Sequence, residues 1–218
     1  MKLTLRMMVF VLLIMGVVYG QNELKFNFDG DTPGKTPQGF VPAQTADRGT
    51  LSVWKVIKDE TAPSGENVLV VVPNPETNHG ACFNVLIYEN SSFKDLEISV
   101  YVKPIKGMED RGGGPIWRAK DKNNYYVVRW NPLENNFRLY YVKNGRRRMI
   151  RSSKLYTDET KWHKIKVIHR GNDIKCYFDD KLKIHVTDST FTEAGKIGLW
   201  SKADANTEFD NLEIRELK

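Results

Sequence analysis

Hydrophobic and polar residues alternate along most of the chain with the period of a β-strand. At positions 96–102 an apolar side chain occupies every second position, with polar or aromatic residues between. One face of such a strand is buried and the other faces water. Similar short runs predict strands at 68–72, 83–88, 125–130, 137–142, 163–169, 174–178, 182–186 and 197–200.

Turn-forming residues separate nearly all of these runs. Asn144 and Gly145 lie between two runs and are a strong hairpin signal, because both residue types accept positive φ. Residues 171–173 and 179–181 carry similar signals, and no amphipathic helix longer than a turn or two is predicted. Many antiparallel strands without helices predict an all-β fold, a two-sheet antiparallel jelly roll or sandwich.

The first 20 residues have a different composition. Lys2 and Arg6 precede an uncharged run at 7–18, which is too short to span a bilayer comfortably. The small residues at its end fit signal peptidase cleavage, so we predict a secretory signal at 1–20 and a mature chain that starts at Gln21. The protein is then secreted or periplasmic, without a membrane span after cleavage. An uncleaved N-terminal anchor is the alternative.

Removing the signal lowers the formal net charge from +6 to +4, because Lys2 and Arg6 leave with it. This mild charge and the predicted export argue against nucleic acid as a partner. Residues 21–218 are enough for one sizeable core, and neither a linker nor a repeat divides them. We predict one β-jelly-roll domain at 21–218, and a monomer.

Three stretches of the chain resemble the 3-keto-disaccharide hydrolase domain family. They are FNFDGDTPGKTPQGF at 26–40, the block from GGGPIWRAKDKNNYYVVRW to YYVKNGRR at 112–147, and the segment from WHKIKVIHRGNDIKCYF to EFDNLEI at 162–214. The resemblance covers roughly residues 26–215. It implies a laminin G-like or concanavalin A-like jelly roll that binds or acts on a glycan at its concave sheet or rim loops.

The block at 112–142 contains the candidate site. Strands at 115–118 and 125–130, joined by a polar turn, form a predicted hairpin in which Arg118 shares the parity of Ile116. Aromatic faces stack on sugar C–H bonds, while guanidinium and amide groups bind hydroxyls. The candidate catalytic residues are Glu134, Arg118 and Arg129, and the candidate substrate-binding residues are Trp117, Tyr126, Trp130, Asn136 and Arg138. The alternative is that the aromatic residues fill the core and Arg118 forms a salt bridge with Glu134.

Two function classes are open. The first is a module that binds an oligo- or polysaccharide without breaking a bond. The second, implied by the resemblance, is cleavage of a 3-keto-glycoside by base-assisted elimination, with Glu134 or a histidine as base and Arg118 or Arg129 stabilising the enolate. Retaining glucanase chemistry is not expected, because no strand carries the E-x-D-x-E spacing of paired carboxylates.

Asp29, Asp31 and Asp210 are the candidate metal ligands. The first and last strands of a jelly roll commonly lie side by side, and calcium takes carboxylate and carbonyl oxygens. Turn chemistry explains the Asp-Gly-Asp pattern equally well. We therefore expect no cofactor, with a structural calcium as the alternative.

The remaining reactive and charged residues are predicted to be structural. Cys82 and Cys176 are expected to be free and buried. His163 and His169 are expected to pack in the core, because no histidine has zinc-ligand spacing. The basic run at 145–151 could contact an anionic polymer, but a solvated strand face explains it with fewer assumptions.

Overall fold

The computed structural model describes residues 23–218, which form two antiparallel β-sheets packed face to face. The one helix in that part of the chain is a 3-10 turn at Thr45–Asp47. The predicted all-β jelly-roll fold is confirmed. The predicted signal at 1–20 lies outside the described residues. From residue 23 onward no helix is long and apolar enough to cross a membrane.

Fifteen strands make up the two sheets. In chain order they are β1 (Glu23–Phe26), β2 (Phe40–Gln44), β3 (Val53–Lys58), β4 (Asn67–Val72), β5 (Phe83–Phe93), β6 (Leu96–Lys106), β7 (Gly113–Asp121), β8 (Asn124–Asn131), β9 (Asn136–Lys143), β10 (Arg146–Lys154), β11 (His163–Arg170), β12 (Asp173–Phe178), β13 (Lys181–Thr187), β14 (Gly195–Lys202) and β15 (Asn206–Glu216). Sheet A has the order β13-β12-β11-β6-β15-β4-β3, with β1 also paired to β15. Sheet B has the order β10-β9-β8-β7-β14-β5-β2.

The main core lies between the sheets and follows the predicted alternation. Every second residue of β6 points inward from sheet A, as Ile98 and Val100 do. Trp117 and Tyr126 point inward from sheet B. Across this core the Trp117 Nε1–H donates to Nδ1 of His169 at 2.9 Å.

The cysteines and core histidines lie where the sequence predicted. Cys82 and Cys176 are both free and buried, and burial raises the pKa of the Cys82 thiol to about 11. His163 and His169 are also buried. Burial, assisted by the nearby charge of Arg118, lowers the pKa of His169 to about 3, so this imidazole is neutral at pH 7.

Sheet B is apolar on its outer face as well. A second buried cluster there includes Phe83, Val127, Tyr140 and Trp200. The Arg147 guanidinium carbon, on edge strand β10, lies 4.8 Å from the ring centroid of Phe83 on β5. Five strand spacings separate β10 from β5, about 24 Å in a flat sheet, which is farther than the two side chains reach together. Sheet B therefore curves toward this outer face, which is concave.

Local backbone features confirm the turns and add one irregularity. Asn144 (φ 51°) and Gly145 (φ 72°) form the predicted hairpin turn between β9 and β10. A Cβ on Gly114 would lie 2.1 Å from the carbonyl oxygen of Val128, so β7 and β8 approach too closely there for a side chain. The pairing of β7 with β8 shifts after Trp117, and Arg118 has a φ of 45°.

Candidate functional site

Arg118 shares the parity of Ile116, which the structure places on the outer face of sheet B, but Arg118 does not lie on that face. The irregularity of β7 turns its buried side chain toward the loops at one end of the sandwich. There Nε donates to the Lys94 carbonyl oxygen at 2.7 Å, and NH1 donates to that of Phe191 at 2.8 Å. NH2 lies 3.1 Å from a carboxylate oxygen of Asp95. Arg118 thus holds loops together, and its salt bridge is with Asp95 rather than Glu134.

Trp117, Tyr126 and Trp130 lie in the core between the sheets. All three are 0% exposed, so no ring face is open to a ligand. Trp117 stacks on Tyr126 with centroids 5.6 Å apart, and Trp130 packs edge-on against Phe178. Stacking of these rings on a saccharide does not fit this placement. The alternative reading, that the aromatic residues of the block fill the core, describes these three.

The structure does bring together Arg129, Glu134, Asn136 and Arg138. Glu134 Oε2 accepts hydrogen bonds from Arg129 NH2 at 2.9 Å, Asn136 Nδ2 at 2.8 Å and Arg138 NH1 at 2.9 Å. Strand register explains the convergence, because Arg129 pairs with Arg138 and Glu134 lies in the turn that joins their strands. Partial burial acts to raise the pKa of Glu134, but these donors outweigh it and the net shift is downward. Glu134 is therefore a stable carboxylate.

Two residues of this cluster were not predicted, Asp110 and Lys202. Asp110 is 0% exposed, and its Oδ1 lies 3.0 Å from Arg129 NH1. Its Oδ2 accepts a hydrogen bond from Lys202 Nζ at 2.9 Å. Burial raises the pKa of Asp110, while Arg129 and Lys202 oppose that shift. We call Asp110, Arg129, Glu134, Arg138 and Lys202 the Arg129 network.

Beside the Arg129 network lies a group of outer-face rings, which we call the aromatic patch: Phe83, Tyr125, Tyr140 and Trp200. The Tyr125 hydroxyl is 2.8 Å from Thr45 Oγ and accepts a hydrogen bond from Trp200 Nε1 at 3.2 Å. Arg147 covers the patch from above, with its guanidinium carbon 4.4 Å from the centroid of the Tyr140 ring. At the β2 edge of this face a depression of about 380 Å³ is lined by Pro42, Ala43, Gln44, Asp47, Gly49, Leu51 and Lys122.

The predicted metal ligands have other partners. As expected, β1 lies beside β15. Asp29 Oδ1 accepts backbone hydrogen bonds from Glu66 at 3.0 Å and Asn67 at 3.1 Å, and Asp210 Oδ2 accepts one from Ser64 at 3.2 Å. Burial, together with the charge of Asp29, raises the pKa of Asp210 to about 6.

The Asp31 backbone N–H donates to the Phe28 carbonyl oxygen at 3.1 Å, and the Asp31 carbonyl oxygen lies 3.5 Å from Asn67 Nδ2. In the described part of the chain no group of three His, Cys, Asp or Glu side chains is arranged to hold a metal ion. The carboxylates of Asp29 and Asp210 anchor the backbone of residues 64–67.

Sheet A has a polar cluster of its own. Lys103 Nζ forms ion pairs with Asp59 and, at 2.8 Å, with Glu208. Burial acts to raise the pKa of Asp59, but hydrogen bonds from Lys103 and Thr61 lower it to about 2. A depression of about 310 Å³ lies alongside, lined by Lys103 and Thr61 among others. Asp59 and Glu208 both pair with Lys103, so the three charged groups of this cluster bind one another.

Comparison with known proteins places the chain in a family. The model of the 3-keto-alpha-glucoside-1,2-lyase-like domain matches residues 28–215. The levanase of Bacillus subtilis (strain 168) is 31% identical over 112 residues, which are 50% of this chain and 16% of the levanase. The chain therefore matches only a small part of that relative.

Solved structures share the fold at low identity. The carbohydrate binding module CBM66 from Bacillus subtilis is 21% identical with a TM-score of 0.64, over 82% of this chain and 96% of that one. The β-glucanase of Bacillus licheniformis is 13% identical with a TM-score of 0.58, over 92% and 100%. At these identities the likeness establishes the jelly-roll fold.

Proposed function

The chain belongs to the family of 3-keto-alpha-glucoside-1,2-lyase-like domains, and from this premise we propose that it binds a saccharide on the concave outer face of sheet B. The binding residues belong to the Arg129 network, which lies beside the buried aromatic patch. Glu134 and Arg138 are the members open to a ligand, since their side chains are 42% and 32% exposed. Export to the cell exterior or periplasm is part of the same proposal.

The observation that carries the proposal is the rigid support beneath Glu134 and Arg138. Arg129 is 1% exposed and is held from below by the fully buried Asp110, so the guanidinium that orients Glu134 has little freedom. A side chain that is locked by its neighbours loses little entropy when it binds a ligand. A carboxylate and a guanidinium fixed side by side accept from and donate to adjacent sugar hydroxyls.

The comparisons support this proposal without locating the site. CBM66 is a carbohydrate binding module, and the partial sequence relative is a levanase. The present chain shares the jelly-roll fold with the first and partial sequence identity with the second.

A glycan screen followed by calorimetric titration tests the proposal. Arg138→Ala removes an exposed cation of the network and should weaken binding of a responsive glycan about two- to tenfold, as expected for one hydrogen bond. Arg215 provides a matched control on sheet A, because it is exposed and paired with a carboxylate of Glu97 at 3.0 Å. Arg215→Ala should leave the affinity unchanged. Equal losses in the two variants, or no binding in the screen, would count against the proposal.

The family description favours a second candidate function, cleavage of a 3-keto-glycoside. A base removes the C2 proton, the C1–O bond breaks as a C1–C2 double bond forms, and the leaving oxygen takes up a proton. The lowered pKa of Glu134 makes it a weak base for this step. His79 offers another base at the rim, 3.5 Å from a carboxylate oxygen of Glu109, whose other oxygen lies 3.9 Å from Lys202.

One assay distinguishes a saccharide-binding module from a lyase that cleaves a 3-keto-glycoside. Incubating the purified protein with a 3-keto-glycoside and the matching ordinary glycoside, and following release of the aglycone, would show turnover of the 3-keto compound alone if the chain is a lyase. His79→Gln should then abolish turnover while leaving Arg138-dependent binding in place. A binding module would release no aglycone from either compound.

A further inference from the structure

Arg147 differs from the other cations of its basic run. Arg146, Arg148 and Arg151 are exposed, whereas Arg147 is partly buried over the aromatic patch. Its guanidinium carbon lies 4.4 Å from the ring centroid of Tyr140, 4.8 Å from that of Phe83 and 5.6 Å from that of Trp200. Its NH1 is buried without a hydrogen-bond partner. Within residues 23–218, the Arg147 guanidinium contacts these three aromatic rings and forms no ion pair.

Such a placement is costly for a purely structural side chain. Cation–π contact stabilises the charge but leaves the buried NH1 without a hydrogen-bond acceptor. An apolar side chain of similar length would cover the same rings without desolvating a charge. A guanidinium held in this way is ready to donate hydrogen bonds to an incoming acceptor.

The charges around Arg147 indicate what that acceptor is. Arg129 and Arg138 share the carboxylate of Glu134, and Lys202 is paired with Asp110. No carboxylate of the described chain is paired with Arg147. Burial lowers the pKa of Arg147 and the charge of Arg129 acts in the same direction, while Tyr140 and Asp110 oppose the shift. A ligand that brings a negative charge to Arg147 would provide the ion-pair partner that the described chain does not.

We propose that the saccharide bound on this face carries an oxyanion, the carboxylate of a uronic acid residue, and that Arg147 binds it. The inference rests on the proposed binding function and narrows its ligand class. A planar carboxylate matches the guanidinium fork, which can donate two parallel hydrogen bonds to it. A sulfate ester offers the same acceptor chemistry, and the experiment below separates the two sources.

The test is calorimetric titration with short β-1,4-linked oligoglucuronates, their carboxyl-reduced counterparts and counterparts sulfated at O6. The oligoglucuronates should bind more tightly than the reduced oligomers, and added salt should weaken the difference. Arg147→Met keeps the apolar cover over the rings and should weaken oligoglucuronate binding about ten- to a hundredfold. The affinity for the reduced oligomers should stay within about twofold.

Arg148→Met is the matched control, because it removes the same charge from the neighbouring exposed position. It should change neither affinity, and Arg147→Lys should bind the acid with intermediate affinity because it keeps the charge without the fork. Melting temperatures of all variants show that each is folded. Tighter binding of the sulfated oligomers that depends on Arg147 would assign the site to a sulfate ester.

Three outcomes would overturn the inference. If the reduced oligomers bind as well as the acids, or if Arg147→Met weakens both equally, Arg147 is no oxyanion site, although the face still binds a saccharide. If none of the three ligand classes binds and the wider glycan screen is also negative, the proposed function fails together with the inference.

Discussion

Replacing Arg129 with alanine should destabilise the fold before any effect on a ligand is considered. Arg129 and Asp110 are 1% and 0% exposed, and their ion pair spans 3.0 Å. Two unit charges about 4 Å apart at an effective dielectric constant of about 20 attract by about 4 kcal/mol. Removing one partner of a buried pair typically costs about 3 to 5 kcal/mol, because the other charge stays buried. Lys202 still pairs with Asp110, so we expect a loss of about 3 kcal/mol.

Urea unfolding at pH 7 measures this loss. Arg138→Ala belongs to the same network but removes an exposed side chain, and it should cost less than about 1 kcal/mol. Adding Asp110→Asn to Arg129→Ala removes the stranded charge and should restore at least about 1 kcal/mol relative to Arg129→Ala alone. Two results would refute the assignment of Arg129 and Asp110 as a buried supporting ion pair. One is an equal loss of unfolding free energy in Arg129→Ala and Arg138→Ala, and the other is a double variant no more stable than Arg129→Ala alone.

Further predictions concern the core, the thiols, the metal and the N-terminus. The pKa of His169 is lowered to about 3, so its contribution to stability is present above the unfolded pKa of about 6.5 and is lost as pH falls below it. Between pH 7 and pH 5 the wild type should lose about 2 kcal/mol more than His169→Gln does, as measured by urea unfolding; equal slopes would contradict this. Alkylation of denatured, unreduced protein should modify both Cys82 and Cys176, and fewer than two modified thiols would indicate a disulfide. Chelator should leave the melting temperature unchanged, and a drop of several degrees that calcium reverses would establish a structural calcium. Intact mass of the exported protein should place its first residue at Gln21, whereas retention of residues 1–20 would indicate an anchor.

The features that the sequence predicted are those determined locally. Alternation with a period of two requires only neighbouring residues, so strands such as β6 and β11 were correctly located. The turn at Asn144 and Gly145 is equally local, because positive φ is a property of those two residue types. The fold class follows from these elements.

The candidate site depended on information that the sequence does not carry locally. Both faces of sheet B are apolar, so alternation alone could not show whether Trp117 or Ile116 faces the core. Parity groups Arg118 with Ile116, but the irregularity of β7 directs the two side chains differently. Asp110 and Lys202 join Arg129 only because sheet pairing brings distant segments together. The predicted residues that the structure does bring together, Glu134 with Arg129 and Arg138, lie within one hairpin.

The central claim is that the concave outer face of sheet B binds a saccharide. Two-dimensional ¹H–¹⁵N NMR of the labelled protein, titrated with a glycan that responds in the screen, tests it most directly. We expect shift changes that cluster on β8, β9 and β14 and that include the Trp200 indole N–H, which is hydrogen-bonded to Tyr125 at 3.2 Å. Changes clustered instead around Lys103 and Glu208 on sheet A would contradict it.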